Sequence, residues 1–406
     1  MSAAARLQDT CVSVLGRTAA SGAALLGGAR LSVLIFHRVL REPDPIFPGE
    51  LDARRFERLM SIVARTFRVL PLDEAVRLLQ ARRLPPRALA ITFDDGYADN
   101  HDVAMPILNR LGLSATVFIA TAFLDGGRMW NDTVIECLRG TQLDTVDLTE
   151  LGLSPMPTRS ASDRRHAIER VIPVVKYQVP EGREPMLERL HSLCGRPVLP
   201  SNLMMRSTDV RSLRQGGLGV GAHTVNHPIL RTLPDDQAQS EMSASRQQLQ
   251  ALIDEPVTLF AYPNGQPGVD FDDRHMAMAR QLGYTAALST RKGVARAGSD
   301  VYCLRNDGRR WNVFYTERGC DSDPIFTSES ESDACEFFFD YICKQPNWHL
   351  IGVFPSELGA KAFEKEVERR GAAPIRNDLP ESIMGTPQFR VYVAGRDIHL
   401  VSDIKR

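Results

Sequence analysis

The stretch that decides the fold is residues 89–100, which read LAITFDDGYADN. Its first five residues form a short apolar run of the kind that makes a buried strand. The run ends in two adjacent carboxylates, Asp94 and Asp95, followed by Gly96, which tolerates backbone angles that other residues avoid. An open α/β sheet places its chemistry just past the carboxyl ends of such strands. A turn with an Asp helix cap explains an isolated Asp-Asp-Gly equally well, so the rest of the chain decides between the two interpretations.

Length and composition describe a globular protein with more than one folded part. At 406 residues the chain exceeds one average domain, and its 43% hydrophobic and 24% charged residues are ordinary values. The net charge of −1 argues against nucleic acid as a partner, because a nucleic-acid surface needs a basic excess. The seven cysteines are scattered without a Cys-x-x-Cys pair, which is typical of a reducing compartment rather than of a zinc ribbon or a disulfide framework.

The N-terminal segment, residues 1–30, is rich in small and apolar residues. Arg17 interrupts its apolar run, so we expect neither a membrane-spanning helix nor a secretory signal. The pattern predicts an amphipathic helix over about residues 2–28 that either packs on the domain or touches a membrane surface. We therefore expect a cytoplasmic protein, with peripheral contact to the inner membrane as the second possibility.

Apolar runs alternate with helical patterns through the first three quarters of the chain. A second buried strand at residues 31–36 delivers His37 and Arg38 at its end. Further strands are expected at 115–121, 220–223, 257–262 and 284–289. Helical spacing between these runs predicts a parallel sheet with helical crossovers, that is, an α/β fold.

Two regions depart from this alternation. Residues 130–215 carry helical patterns between proline-containing loops, which predicts a helical insertion over one edge of the sheet. Residues 311–406 predict a small α+β module, which includes a hairpin formed by residues 389–394 and 398–402. Aromatic residues at 337–339 and 341 form either its core or an interaction face for a protein partner.

A pair of histidines forms the second cluster of chemical interest. His223 and His227 lie four residues apart within GAHTVNHP at 221–228, a spacing that allows both imidazoles to bind one metal ion. Most isolated pairs of this kind are surface histidines, but this pair follows a short strand, as the two Asp residues do. Two imidazoles and one carboxylate make a three-ligand site with open positions, and an ion there would relieve the repulsion between Asp94 and Asp95. The other histidines, His275 among them, have no such context and are expected at the surface.

Three motifs in this order resemble the polysaccharide deacetylase family, whose core is the NodB-homology domain: TFDDG at 92–96, HTVNH at 223–227 and FAYPNG at 260–265. The resemblance covers about residues 31–305 and implies a distorted (β/α) barrel at 31–310. It implies a metal-dependent enzyme of exopolysaccharide biosynthesis that hydrolyses the acetamide of N-acetylated sugars in a glycan. Zinc is the expected divalent metal, with manganese and cobalt as alternatives.

The resemblance also assigns roles to individual residues. Asp95, His223 and His227 would hold the metal, and Asp94 would be the general base that deprotonates the water. The backbone N–H of Asn264 would bind the oxyanion, although Pro-Asn-Gly is also simply a good turn. Substrate contacts are expected from Tyr97, Trp130, Thr224, Tyr262, Pro263 and Arg305. A packing role for Trp130 and a bracing role for Thr224 remain open.

The sequence departs from the family pattern in two places. Ala261 stands where an Arg usually orients the base, and Arg305 is the candidate substitute. The late motif that usually carries the His general acid is not visible in residues 301–307. We expect His37 to replace it, because one branch of the family places its acid in an early strand-end His, and imidazole titrates near neutrality. A His37 that merely caps its strand is the structural alternative.

Two other functions compete with the deacetylase hypothesis. A mononuclear iron oxygenase also uses two histidines and a carboxylate, but it usually sits in an antiparallel β-barrel, contrary to the alternation found here. A non-catalytic glycan-binding protein that retains the fold is the stronger rival, since the usual Arg and the late His are missing.

Overall fold

The computed structural model describes residues 30–176, 180–291, 293–304, 311–313, 316–317, 320–321, 326–328, 348–354, 356–372, 374–379, 388–394 and 398–401. The predicted helix at 2–28, the aromatic residues at 337–341 and Arg305 lie outside these residues. The chain divides into two compact units, Met1–Cys335 and Glu336–Arg406. The short strands between 311 and 328 pair with one another and fall in the first unit, whereas the sequence placed the start of the C-terminal module at 311.

Short apolar segments form the strands of the first unit, and amphipathic segments form its helices. In chain order the strands are β1 Arg30–Phe36, β2 Arg68–Val69, β3 Ala88–Phe93, β4 Thr116–Ile119, β5 Thr145–Val146, β6 Met156–Pro157, β7 Gly219–Ala222, β8 Leu259–Ala261, β9 Ala286–Leu288, β10 Ala295–Arg296, β11 Trp311–Val313, β12 Thr316–Glu317, β13 Cys320–Asp321 and β14 Phe326–Ser328. The helices are α1 Ala53–Thr66, α2 Leu72–Gln80, α3 Met105–Leu111, α4 Trp130–Gly140, α5 Ala161–Lys176, α6 Pro180–Leu193, α7 Ser207–Gln215, α8 Asp235–Ile253 and α9 Asp273–Gln281. A π-helical turn at Asn100–Ala104 leads into α3.

The main sheet runs in the order β10-β1-β3-β4-β7-β8-β9, with β2 beside β3. All neighbouring strands from β1 to β9 are parallel, and β10 pairs with β1 in the antiparallel sense. Within the described residues β9 is not joined to β10, so the sheet is a curled half-barrel. The predicted α/β fold is confirmed, and its barrel is open on one side.

The core fixes the strand ends that carry the polar residues. Every residue of β3 is buried, and Phe36 lies opposite Phe93 in the parallel register. The rings of Phe36, Phe56 and Phe93 pack with centroids 5.5–5.9 Å apart. The Asp94 N–H donates to the Phe36 carbonyl at 2.9 Å, so the chain leaves both strands side by side at His37 and Asp94.

The predicted helical insertion is built from α4, α5 and α6 with the β5–β6 hairpin. It has its own apolar core, which includes Val134, Leu138, Val171 and Leu190. Helix α7 is not part of this core, because Val210 and Leu213 pack into the main core instead. The insertion therefore ends before α7 and is shorter than the predicted 130–215.

The second unit contains an antiparallel sheet with one long helix. Strands β15 Trp348–Phe354, β16 Pro374–Leu379 and β17 Gln388–Ala394 lie in the order β15-β17-β16, and helix α10 Glu357–Arg369 contributes Phe363 and Val367 to a small core with Val391. The hairpin predicted at 389–402 is wrong. Strand β17 pairs with β15 and β16, and residues 398–401 form a short helix, α11 Ile398–Val401.

None of the helices in the described residues combines the length and the apolar character that crossing a membrane requires.

Candidate metal centre

The polar residues predicted from the strand ends meet at one edge of the main sheet. Asp94 and Asp95 directly follow β3, and His223 directly follows β7, which lies two strands further along. Because these strands are parallel, their carboxyl ends reach the same edge. The register of the sheet, rather than proximity in sequence, brings the acids to the imidazoles.

Asp95, His223 and His227 form a compact cluster, hereafter the metal triad. Asp95 Oδ1 lies 3.4 Å from His223 Nε2 and 3.4 Å from His227 Nε2. One ligand atom from each of the three residues lies within 4.8 Å of the other two. Asp95 and His223 are buried, and His227 is partly exposed. Three donors this close can bind a single ion while leaving coordination positions open towards the outside.

The hydrogen bonds around the triad match what a divalent cation requires. His223 Nδ1 lies 2.8 Å from the Ala261 carbonyl, which fixes the proton on Nδ1 and leaves the Nε2 lone pair directed at Asp95. The buried Asp95 Oδ1 receives no hydrogen bond within the described part of the chain. An anionic oxygen buried in this way needs a cation or a donor. The residues present therefore fit a divalent metal ion.

The ionised state of Asp95 supports the same assignment. Burial favours a higher pKa for Asp95, but the contact with His223 and the positive charges of His227 and His37 hold that pKa well below its usual range. Burial lowers the pKa of His223, yet its contact with Asp95 and the charge of Asp94 raise it overall. Asp95 is therefore ionised near neutral pH, the form in which a carboxylate binds a metal.

Strained backbone concentrates at this edge of the sheet. Four non-glycine residues around the centre have positive φ: Asp95 at 75°, Thr224 at 67°, His227 at 52° and Asn264 at 57°. Each such residue costs on the order of 1–3 kcal/mol unless the surrounding structure enforces the conformation. Clusters of this kind occur where a site is held in a functional geometry.

Two side chains hold the loop between the histidines. The Thr224 hydroxyl donates to the His223 carbonyl and accepts the His227 N–H at 3.0 Å. Glu241, on α8, accepts the Val225 and Asn226 backbone N–H groups, each at 2.8 Å. Its second oxygen accepts the Asn226 side-chain amide at 2.7 Å. Sequence reasoning missed Glu241, because no local pattern links it to the histidines.

A pocket of about 230 Å³ opens beside the triad. Its wall includes eight residues predicted from the sequence: His37, Asp94, Asp95, Trp130, His223, His227, Tyr262 and Asn264. His37 also lines an adjoining pocket of about 450 Å³, so it lies where the two spaces meet. A histidine at the end of β1 is thus brought to the same pocket as the acids at the end of β3.

The other four predicted substrate contacts are placed differently. Thr224 is fully buried, and its hydroxyl bonds place it as a brace of the loop. Tyr97 is buried, lines only the adjoining pocket and donates its hydroxyl to Asp132 at 3.2 Å. Pro263 is not part of either pocket wall, and Arg305 lies outside the described residues.

The insertion supplies a second wall of the pocket, and apart from Trp130 and Asn131 sequence reasoning did not anticipate its residues. Besides Trp130 it contributes polar, charged and apolar side chains, namely Asn131, Ile135, Ile172, Lys176 and Arg183. Their signal is not visible locally, because it depends on how α4, α5 and α6 fold back over the sheet edge.

Comparison with known proteins finds a family that is similar to the segments carrying this centre. A family model described as polysaccharide deacetylase matches residues 81–144 and 198–287. The two matched segments together make up less than half of the 406 residues, and they are similar to the polysaccharide deacetylase family. The match includes Asp94, Asp95, His223, His227 and Asn264. The segment between the two matched stretches, residues 145–197, comprises β5, β6, α5 and α6 of the insertion, and His37 also lies outside the match.

Individual relatives are distant. A protein of Bacillus subtilis (strain 168) named "Putative polysaccharide deacetylase YxkH" is 20% identical over 281 residues, which are 68% of this chain and 70% of that protein. Among solved structures, Streptococcus pyogenes deacetylase PplD in complex with acetate is 20% identical, with coverage of 68% of this chain and 91% of that one and a TM-score of 0.46. IcaB from Ammonifex degensii is 19% identical, with coverage of 69% and 91% and a TM-score of 0.45.

Proposed function

We propose that this chain is a metal-dependent N-deacetylase that hydrolyses the acetamide of N-acetylated sugars in a glycan. The observation that carries the proposal is the metal triad, which opens onto a pocket shared with Asp94 and His37. A divalent ion held by Asp95, His223 and His227 would lower the pKa of water and polarise the acetyl carbonyl. Zinc suits one carboxylate and two imidazoles, and manganese or cobalt would serve in its place.

Asp94 and His37 divide the proton transfers between them. Asp94 accepts the proton of the attacking water while the water oxygen bonds to the acetyl carbonyl carbon. His37 donates a proton to the sugar nitrogen as the carbon–nitrogen bond breaks, so acetate and a free amine leave. The parallel register of β1 and β3 supports this division, because both residues follow paired strand ends and line one pocket.

The loop after β8 completes the pocket. Asn264 lines it, and no hydrogen bond from the Asn264 backbone N–H is found among the described residues, so this group suits the developing oxyanion. The Tyr262 ring stacks on Phe271 at 3.7 Å, and its hydroxyl donates to the Tyr302 carbonyl at 3.0 Å. These contacts fix Tyr262 as a buried part of the pocket wall, and Trp130 lies on the insertion side of the pocket.

Acetate release tests the proposal. The wild-type protein, loaded with zinc, manganese or cobalt, is incubated with N-acetylglucosamine oligosaccharides, and acetate and free amine are measured together. We expect equal amounts of both products from the wild type, and loss of turnover in Asp94→Asn with oligosaccharide binding retained. Binding by both proteins without acetate release from either would favour the glycan-binding alternative. Failure of the wild type both to bind and to turn over would refute the proposal.

The sequence-based predictions of location and partners are proposals as well. They are a cytoplasmic protein with peripheral contact to the inner membrane, a protein partner for the C-terminal module, and no nucleic-acid partner.

A further inference from the structure

Resting on the deacetylase function proposed above, we propose that Lys176 and Arg183 form a subsite for an anionic group of the substrate, a phosphate or a carboxylate close to the N-acetylated sugar. Both side chains line the pocket that contains the metal triad. Lys176 ends α5 and Arg183 lies in the first turn of α6, so both belong to the insertion.

Contacts within the insertion hold the Arg183 guanidinium in place. The Arg183 guanidinium lies over the Trp130 ring, with its carbon 5.1 Å from the ring centroid. Arg183 Nη2 donates to the Lys176 backbone carbonyl at 3.2 Å, which ties the start of α6 to the end of α5. Trp130 itself lines the pocket. A guanidinium stacked on an aromatic face has a fixed plane, and a fixed plane suits two-point recognition of phosphate or carboxylate oxygens.

The charge on the insertion side of the pocket favours an anion. Among its described lining residues the carboxylates are Asp94 and Asp95, both from the end of β3, and the insertion contributes positive charge alone through Lys176 and Arg183. Burial lowers the pKa of Arg183, but an arginine side chain stays protonated in proteins, so Arg183 keeps its positive charge. Two cations facing a partly enclosed space attract an anion more strongly than they would on an open surface.

The family match covers the metal ligands but not the two cations of the pocket wall. The triad, Asp94 and Asn264 lie inside the matched residues, whereas Lys176 and Arg183 lie in the unmatched segment 145–197. The metal ligands, Asp94 and Asn264 are thus residues of the matched segments, whereas the proton donor His37 and the charged wall of the insertion lie outside them. A neutral N-acetylated glycan gives this wall no ionic contact, but a sugar phosphate or a uronic acid does.

The test compares three N-acetylglucosamine substrates of equal length: the neutral oligosaccharide, the same oligosaccharide with a 1-phosphate, and one that alternates with glucuronate. We expect wild-type kcat/KM to favour at least one anionic substrate over the neutral one. Removal of a charge-assisted contact in Lys176→Met or Arg183→Met should lower that preference about tenfold. Arg183→Lys should retain part of it. A preference for only the phosphate or only the glucuronate identifies which anion the subsite takes.

Arg189→Met is the matched control. Arg189 lies on the exposed side of α6, where it pairs with Glu150, and does not line the pocket, so the preference should be unchanged. Dissociation constants of the same oligosaccharides, measured by calorimetry, provide a readout independent of turnover. The inference is overturned if the wild type does not distinguish charged from neutral oligosaccharides in binding and turnover. It is also overturned if the preference survives in a double variant that carries both Lys176→Met and Arg183→Met. Anion-dependent binding without acetate release would instead refute only the deacetylase function.

Discussion

Glu241 is predicted to control metal affinity without touching the metal. It accepts two backbone N–H groups and one side-chain amide from the loop between His223 and His227. Two residues of that loop region, Thr224 and His227, have positive φ. In Glu241→Ala the three hydrogen bonds are lost, and the loop can relax to conformations in which the imidazoles no longer point at Asp95.

The size of the effect follows from these contacts. Hydrogen bonds to a carboxylate contribute about 1.5–3 kcal/mol each when buried, but Asn226 is exposed, so water replaces part of what is lost and the set contributes much less than three buried bonds. Loss of such supporting contacts to a metal site typically weakens binding about 10–100-fold. We therefore expect the zinc dissociation constant of Glu241→Ala to rise by that factor. Glu241→Gln keeps an acceptor oxygen and should lose about tenfold or less.

Competition calorimetry with a zinc chelator measures this constant directly. Asp236→Ala is the control, since it removes a carboxylate from the exposed first turn of the same helix. Circular dichroism should report equal helix content for all three variants. If Glu241→Ala is folded and its zinc dissociation constant is unchanged, the claim that Glu241 positions the loop between His223 and His227 is refuted.

Three further predictions concern catalysis, pH and packing. His37→Gln should lower kcat by about 10²–10⁴-fold while the zinc dissociation constant stays within about twofold, as measured by acetate release and calorimetry. Burial raises the pKa of Asp132 to about 7, although the positive charge of Arg38 lowers it. The folded state therefore favours protonated Asp132, and the free energy of unfolding falls as the pH rises from the unfolded-state pKa towards and through 7. Denaturation of Asp132→Asn should therefore show about 2–3 kcal/mol less loss of stability between pH 5 and 8 than the wild type. Gly221→Ala should destabilise the domain by about 1–3 kcal/mol in urea unfolding, because the added Cβ would lie 2.4 Å from the Phe118 ring. An unchanged free energy of unfolding would contradict the packing of β7 against β4.

The sequence predicts the strand ends of this domain well, for a physical reason. A strand buried on both faces, such as β3, must be a short continuous apolar run, and the first polar residue after it marks the edge of the sheet. Asp94, His37 and His223 are each found in this way. Their meeting at one edge then follows from the parallel order of the sheet.

Features that depend on packing between distant segments are not predictable in this manner. Lys176 and Arg183 reach the pocket only because the insertion folds back over the sheet, and their local sequence is that of ordinary surface helices. His275, expected at the surface, is fully buried, with its Nδ1 accepting the Asp272 backbone N–H at the start of α9. The hairpin expected at 389–402 failed because strand alternation does not reveal which partner a strand selects.

The most direct test of the account is anomalous diffraction from a crystal of the full chain grown with zinc or manganese. The account predicts a single strong peak within coordination distance of Asp95 Oδ1, His223 Nε2 and His227 Nε2, with Asp94 and His37 facing the same pocket. A peak bound by other residues, or no peak under saturating metal, would contradict the claim that these three side chains form a metal centre.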